Sequence, residues 1–187
     1  MQILAELVGI PGTGKTYYLN LLKGFVNCID FGEELSRWLK ENKKEEGVYP
    51  TAEHIKEFID FLYLGLNGES AVMTSHIVHY QQGKFIYDLD LEIYAKPHTH
   101  IFLYSNPEDI LLRRQKDILS GRKQRGMGNL PEIRSHQDIS LRVTRELSEK
   151  LSSCLLILEN IAGNEDENIA KIRHLFRQLN YKGAVTV

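Results

Sequence analysis

Apolar and polar positions fall in alternating blocks along this chain, and the blocks predict short strands separated by helices. Ile3 to Val8 is an apolar run that suits a buried strand. A helix is predicted from about Lys15 to Gly24, then a second strand over Phe25–Ile29 that ends at Asp30. Leu35, Trp38 and Leu39 lie on one side of the next helix, Gly32 to about Asn42. After a polar loop over 43–50, Thr51 can cap a helix whose apolar stripe is Ile55, Phe58, Ile59, Leu62 and Leu66. Asn67 and Gly68 close it.

Ser70–Thr74 reads as a third strand and Thr99–Tyr104 as a fourth. Between them, Ser75 to about His98 reads as a long connection with a turn at Gln81–Gly83 and acids at Asp88 and Asp90. Ser105, Asn106, Pro107 and Glu108 are a strong helix start. Pro131 opens a helix that runs to about Leu151, and Cys154–Leu158 is the fifth strand. A loop from Asn160 to Asn168 precedes a last helix to about Leu179, and the tail from Tyr181 is expected to be loosely held. Strands alternating with helices predict an α/β domain with a five-stranded parallel sheet covered on both faces. Ligands bind such sheets at the C-terminal ends of the strands. That rule puts the residues after Val8, Asp30, Thr74 to His76, the loop after Tyr104 and Asn160 on one rim.

Composition narrows the classes. At 187 residues the chain predicts one domain, with 42% hydrophobic and 26% charged residues, as in an ordinary globular protein. The net charge of -2 argues against a general nucleic-acid coat. No apolar run approaches the roughly 20 residues of a membrane span. The N-terminus runs straight into the first strand without a signal-peptide pattern, and a cytoplasmic location is expected. Cys28 and Cys154 sit in apolar runs and read as buried free thiols.

Chemistry concentrates in Gly9 to Thr16, which reads G-x-x-x-x-G-K-T and is preceded by a strand and followed by a helix. This is the phosphate-binding P-loop pattern. Gly9, Gly12 and Gly14 let the backbone approach a nucleotide closely, with Pro11 and Thr13 between them. Lys15 is placed to reach the β/γ-phosphates of ATP, and the Thr16 hydroxyl to ligate Mg²⁺. A second feature is basic. Arg113, Arg114, Lys116, Arg122, Lys123 and Arg125 crowd a helix end and a glycine-bearing loop over Ser120–Asn129. Such a loop suits a lid whose cations close over a transferred phosphoryl group. Arg122 and Arg125 lie in the loop itself. Arg113 and Arg114 point roughly 100° apart on their helix, so only one is expected to face the site. Asp30 has three readings: Mg²⁺ held through water, activation of an acceptor, or a helix cap. His76 is a candidate for substrate phosphate or a water. Tyr17 and Tyr18 read as helix packing, and His98 and His100 as surface or structural residues.

With these residues in place, the chain resembles the archaeal-type adenylate kinases and related small nucleoside-monophosphate kinases. The resemblance rests on Gly9 to Thr16 with Ile10 and Pro11, on Asp30-Phe31-Gly32, on the Ser75-His76 pair, on Ile110 to Arg114 and on His136-Gln137. It implies a P-loop NTPase fold with a helical acceptor-binding insert over about 32–67 and a lid over about 115–130. It also implies an adenine site near the lid helix and Asn160. By that resemblance the reaction moves the γ-phosphoryl group of MgATP to a small acceptor, with a nucleoside monophosphate foremost. Lys15, Arg122 and Arg125 would act on the transferred group with Arg114 helping, and Asp30 and His76 would meet the acceptor. The family motif begins with an acid where this chain has Thr74. That departure leaves three outcomes open: metal binding by Asp30, a different substrate, or a nucleotide binder with little kinase activity.

Overall fold

The computed structural model describes residues 4–43, 50–81, 83–121 and 128–179. In chain order the elements are β1 (Leu4–Val8), α1 (Lys15–Leu22), β2 (Asn27–Asp30) and α2 (Phe31–Trp38), which runs on through a π-helical turn, Leu39–Lys43. Then come α3 (Ala52–Gly65), β3 (Ala71–Ser75), β4 (His79–Gln81), β5 (Lys84–Ile86) and α4 (Leu89–Ala95). The chain continues with β6 (Thr99–Tyr104), α5 (Pro107–Leu119), α6 (Leu130–Leu151), β7 (Cys154–Glu159) and α7 (Glu165–Gln178).

Five of the strands form one parallel sheet in the order β2-β3-β1-β6-β7. β1 lies at its centre, flanked on both sides, so its side chains meet helices above and below. The apolar run read from Ile3 to Val8 suits that place. Ala5 and Leu7 point to one face, where Tyr18, Leu19 and Leu22 of α1 and Ile169, Ile172 and Phe176 of α7 complete a core. The α7 residues recur at i, i+3 and i+7, the spacing of a helix that buries one stripe. On the opposite face Val8 and Phe102 pack against Ile77, Val78, Val143 and Leu147. Ile59, Ala71, Met73 and Ala95 form a neighbouring cluster under α3 and α4.

The expected helix starts form as read. The Thr51 hydroxyl accepts from His54 N at 3.2 Å, and Asn106 Oδ1 accepts from Glu108 N at 3.1 Å with Pro107 in the first turn. At α6, Asn129 Oδ1 accepts from Glu132 N at 2.9 Å while Glu132 Oε2 accepts from Asn129 N at 3.2 Å. That reciprocal pair satisfies two of the helix's orphan donors.

Two expectations change. The stretch after β3 is not an open connection: it folds into the β4–β5 antiparallel hairpin and then α4. Three-residue strands are too short for alternation to show, and the hairpin is held instead by packing of Phe85, Leu89 and Ile93 into the cluster on α6. The cysteines are free thiols, but Cys154 is exposed and Cys28 only partly buried, because Cys154 opens an edge strand. The tail from Tyr181 lies outside the described residues. Among those residues, no helix is long and apolar enough to cross a membrane.

The α7 stripe anchors one whole face of the sheet, and Phe176, fully buried, stacks on Phe25 with ring centroids 6.1 Å apart. Phe176→Ala is expected to lower stability by about 3–5 kcal/mol through lost burial and the cavity it leaves. Urea unfolding checks this, with a lower midpoint and an unchanged slope.

Candidate active site

Between Val8 and Lys15 the chain reverses from β1 into α1 through Gly9 to Gly14. Gly12 and Gly14 take φ of 97° and 92°, a region that side-chain-bearing residues avoid. Space forbids a side chain as well: a Cβ on Gly14 would stand 2.5 Å from Asn160 Nδ2, and one on Gly12 3.0 Å from Ile110 Cγ2.

The turn sends its carbonyls into the protein, where each needs a donor. Gly9 O accepts from Lys15 Nζ at 2.6 Å, and Ile10 O accepts from Lys15 Nζ at 3.1 Å and from Thr13 Oγ1 at 2.9 Å. Pro11 O accepts from Arg114 Nε at 3.0 Å and Gly12 O from Arg113 at 3.2 Å. Thr13 O accepts from Asn160 Nδ2 at 2.7 Å and from Ser105 Oγ at 3.3 Å. Ser105 is itself fixed by Gln137, whose side chain bonds both its N–H (3.0 Å) and its carbonyl (2.9 Å).

These contacts add to the reading of the basic helix: only Arg113 of the pair lines the cavity beside the loop. Arg113 and Arg114 both reach the loop, because their long side chains make up for the turn between them, and each takes a different carbonyl. Arg114 is buried. Asn160 is buried too, and its side chain braces the loop from behind through Thr13 and Tyr18, at 2.7 and 3.4 Å. Arg122 and Arg125 lie outside the described residues.

Lys15 is 6% exposed, and its Nζ lies 3.2 Å from Nδ1 of His76. An ammonium only donates, so Nδ1 accepts from it in the tautomer with the ring proton on Nε2, and in the other tautomer Nδ1–H faces Gly9 O instead. The same Nδ1 is 3.0 Å from Gly9 O. His76 thus bonds either the lysine or the loop carbonyl, according to its tautomer.

Thr16 opens toward β2, and its hydroxyl donates to Asp30 Oδ2 at 3.3 Å. Asp30 occupies the cap position of α2 but makes no side-chain cap bond. The cap is supplied by Thr74, whose hydroxyl accepts from Phe31 N at 3.3 Å. Thr74 thus closes a helix end, and Asp30 is left facing Thr16. Two hard oxygens side by side suit a magnesium ion, which takes one or two protein ligands and keeps several waters.

Lys15, Thr16, Asp30 and His76 edge a cavity of about 920 Å³. It runs from the loop, under α2 and α3, past Ile55, Ile59, Met73 and Ala95, and out beside Tyr87 and Asp88 of the hairpin side. Glu6, Arg113 and Tyr17 are among the lining residues that were not read from the sequence as site residues. Tyr17 is 52% exposed and forms wall, whereas Tyr18 alone packs inward. Glu6 looked like one interruption of an apolar run, and that interruption was the signal.

His100 is fully buried on β6, beside Glu6, with its Nδ1 at 2.9 and 3.0 Å from the hydroxyls of Ser153 and Ser148. Burial pushes it down to about 4, and His136 is lowered by burial as well.

Comparison with known proteins matches this architecture. No protein-family model matches the chain. An adenylate kinase homolog of Methanothermobacter thermautotrophicus is 27% identical over 170 residues, spanning 82% of each chain. A sugar kinase from a Janibacter species superposes with a TM-score of 0.52 at 13% identity, over 100% of this chain and 99% of that one. A candidate kinase from Chloroflexus aurantiacus gives 0.51 at 15%, over 92% and 97%. The fold is that of the P-loop NTPases, and in sequence the chain is similar to the adenylate kinase homolog.

The buried histidines set a pH dependence. In the unfolded chain His100 titrates near about 6.5. Its folded value is lower, so the unfolded form holds more protons between the two values. Its contribution to stability is complete above pH 6.5 and is lost as pH falls toward about 4. The urea midpoint should therefore drop between pH 7.5 and pH 5. His136 shifts in the same direction, so a folded His100→Gln variant should show a flatter profile and not a level one.

Proposed function

We propose that this protein is a phosphotransferase that moves the γ-phosphoryl group of MgATP to a small acceptor seated in the cavity beside the loop. The observation that carries the reading is the placement of Lys15 and Thr16 at one end of a cavity of about 920 Å³, with Asp30 Oδ2 3.3 Å from the Thr16 hydroxyl. Backbone N–H groups of the loop and the first turn of α1 would take the phosphates. Lys15 would leave its carbonyls for the β/γ oxygens, which as anions are the stronger acceptors. Thr16 and Asp30 would hold Mg²⁺, which supplies charge neutralisation at the terminal phosphates. Arg113 and Arg114 would keep the loop in shape. In this reading Arg122 and Arg125 are the lid cations.

A nucleoside monophosphate is the acceptor that the relative's description favours, since that protein is an adenylate kinase homolog. A second reading has its own observation. Asp30 is not spent on capping and stands beside the Thr16 hydroxyl, where a carboxylate can take a proton from an attacking alcohol. The acceptor would then be a hydroxyl compound.

ATP consumption by purified protein with Mg²⁺, first without acceptor and then with a panel of monophosphates and alcohols, tests the assignment. Fast ADP release is expected only with a matching acceptor. Acceptor-independent slow hydrolysis, or binding without consumption, would make the protein a nucleotide-binding module instead.

Lys15→Ala should lower turnover by at least about a hundredfold, the scale lost with one preorganised charge donor, and leave the unfolding midpoint within a few degrees. Undiminished turnover in a folded variant would refute the donor site.

Asp30→Asn separates the two acceptors. A hydroxyl acceptor predicts a loss of kcat of about 10²–10⁴-fold. A monophosphate acceptor needs no base, and the loss should then be smaller and relieved by raised Mg²⁺.

A further inference from the structure

The β4–β5 hairpin has two faces, and strand alternation assigns each of its residues to one of them. Tyr80 and Phe85 stand opposite each other in register, with ring centroids 4.9 Å apart. Both rings pack near His136 of α6, at 6.3 and 5.4 Å between centroids. That face attaches the hairpin to the domain. One residue along, His79 and Ile86 form the next pair in register, so they point the other way. Both line the cavity, and so does Gln81, two residues from His79 on the same face. A strand of three residues thus turns an imidazole and an amide toward the space beside the P-loop.

His79 stands at the phosphate end of that space. Its ring centroid is 6.3 Å from that of His76, whose Nδ1 is 3.2 Å from Lys15 Nζ. Desolvation first, and the Lys15 charge second, hold the His79 imidazole below its ordinary range. The ring is neutral at pH 7 and offers one acceptor nitrogen and one N–H. Behind it, His136 of α6 is held low as well, chiefly by burial. Asp30 at the end of β2 and Glu33 in the first turn of α2 bring carboxylates to the same cavity. A neutral ring and carboxylates accept hydrogen bonds from a hydroxyl group. The carboxylates also repel a second phosphate dianion beside the first. Farther in, Ile55, Ile59 and Met73 line the cavity with hydrocarbon. Hydroxyls of a polyol would lie unpaired against that wall at a cost, whereas an apolar body would fill it.

We propose that His79 is a specificity-determining residue of the acceptor site, accepting a hydrogen bond from a hydroxyl group at the receiving end of the acceptor, and that the acceptor is an uncharged alcohol with an apolar ring or chain; this rests on the cavity being the acceptor site and develops its hydroxyl form. The body can be a hydrocarbon or the base of a nucleoside. The two share one chemistry at His79 and differ in the rest of the molecule.

Titration calorimetry tests this with Mg²⁺ and a non-hydrolysable ATP analogue present. Two probe pairs are compared, each an alcohol against its own phosphate ester: 4-phenylbutan-1-ol against 4-phenylbutyl phosphate, and adenosine against adenosine monophosphate. In one pair the alcohol should bind at least about tenfold more tightly, and that pair names the body. His79→Leu should weaken that alcohol by about three- to tenfold, the scale of one net hydrogen bond. His79→Gln keeps a neutral acceptor and should stay within about twofold. In both variants the ATP analogue should bind as before. His79→Lys should move the ratio at least about tenfold toward the phosphate ester, a shift that lost wall packing alone does not give. The comparison in the unaltered protein does not depend on any variant folding. Phosphate esters that bind as tightly as their alcohols, or more tightly, in both pairs overturn the proposal and leave the monophosphate reading standing. An alcohol affinity that survives intact in folded His79→Leu overturns it too. If none of the four probes binds while the ATP analogue does, His79 has no such acceptor to read and the proposal fails with the donor site intact. Failure of the ATP analogue to bind is a different result, and it removes the phosphotransfer reading itself.

Discussion

The fold turns on a run of inward-pointing carbonyls. Reversing the chain from a central strand into a helix, with backbone N–H groups facing outward, forces the carbonyls of Gly9 to Thr13 into the protein. A buried carbonyl left without a donor costs free energy comparable to a lost hydrogen bond. Every one of the five receives a side-chain donor: Lys15, Thr13, Arg114, Arg113, Asn160 or Ser105. Those donors come from the loop, from the start and the body of the β6–α5 unit, and from the end of β7. The loop therefore has its shape only when the strands on one side of β1 are in place. Gln137 of α6 adds a further tie by clamping the backbone of Ser105.

On the other side of β1 the sheet does a different job. β3 and β2 end where Ser75, Thr74 and Asp30 stand level, with Asp30 paired to Thr74 and Val8 to Ser75. One side of the central strand builds the anion cradle and the other brings carboxyl and hydroxyl groups to its edge. The helices α2 and α3 cover that edge, held together by Leu35, Trp38, Leu39 and Phe58. The cavity lies in the space this division leaves. Its polar end belongs to the loop and β2, and its apolar end to β3, α3 and α4.

This division also explains what the sequence revealed. The phosphate loop is contiguous and its chemistry is local, so eight residues sufficed to read it. The sheet was legible because each of its strands is a short apolar run, and all five were placed within two residues at each end. The side chains that satisfy the loop are scattered from position 105 to 160, and nothing in their own surroundings marks them. Of Arg113 and Arg114 only the first lines the cavity, but both reach the loop, because helical phase fixes where a Cβ points and not where a guanidinium several bonds further out arrives. Asp30 was ambiguous because Asp suits a cap and a metal equally well. The hydroxyl of Thr74, forty-four residues away, takes the cap bond, which leaves the metal and acceptor readings of Asp30 open. Glu6 was hidden by its neighbours, since a single polar residue in an apolar run is ordinary at an exposed edge and anomalous only at the centre of a sheet.

Lys15 and His76 together bear on how such a loop meets an anion. Gly9 O has a nitrogen of each within reach, Lys15 Nζ at 2.6 Å and His76 Nδ1 at 3.0 Å. While the lysine donates, the imidazole accepts from it and carries its proton on Nε2. When an anion draws the ammonium away, the carbonyl loses its donor unless the imidazole changes tautomer and offers Nδ1–H in its place. His76 already stands at hydrogen-bond distance, so that exchange needs a proton shift and no movement of backbone. A residue without a second titratable position, such as leucine or phenylalanine, would leave Gly9 O buried and unsatisfied at the moment the lysine moved. The imidazole next to the P-loop lysine therefore stands where it can serve Gly9 O, at 3.0 Å, once the lysine leaves.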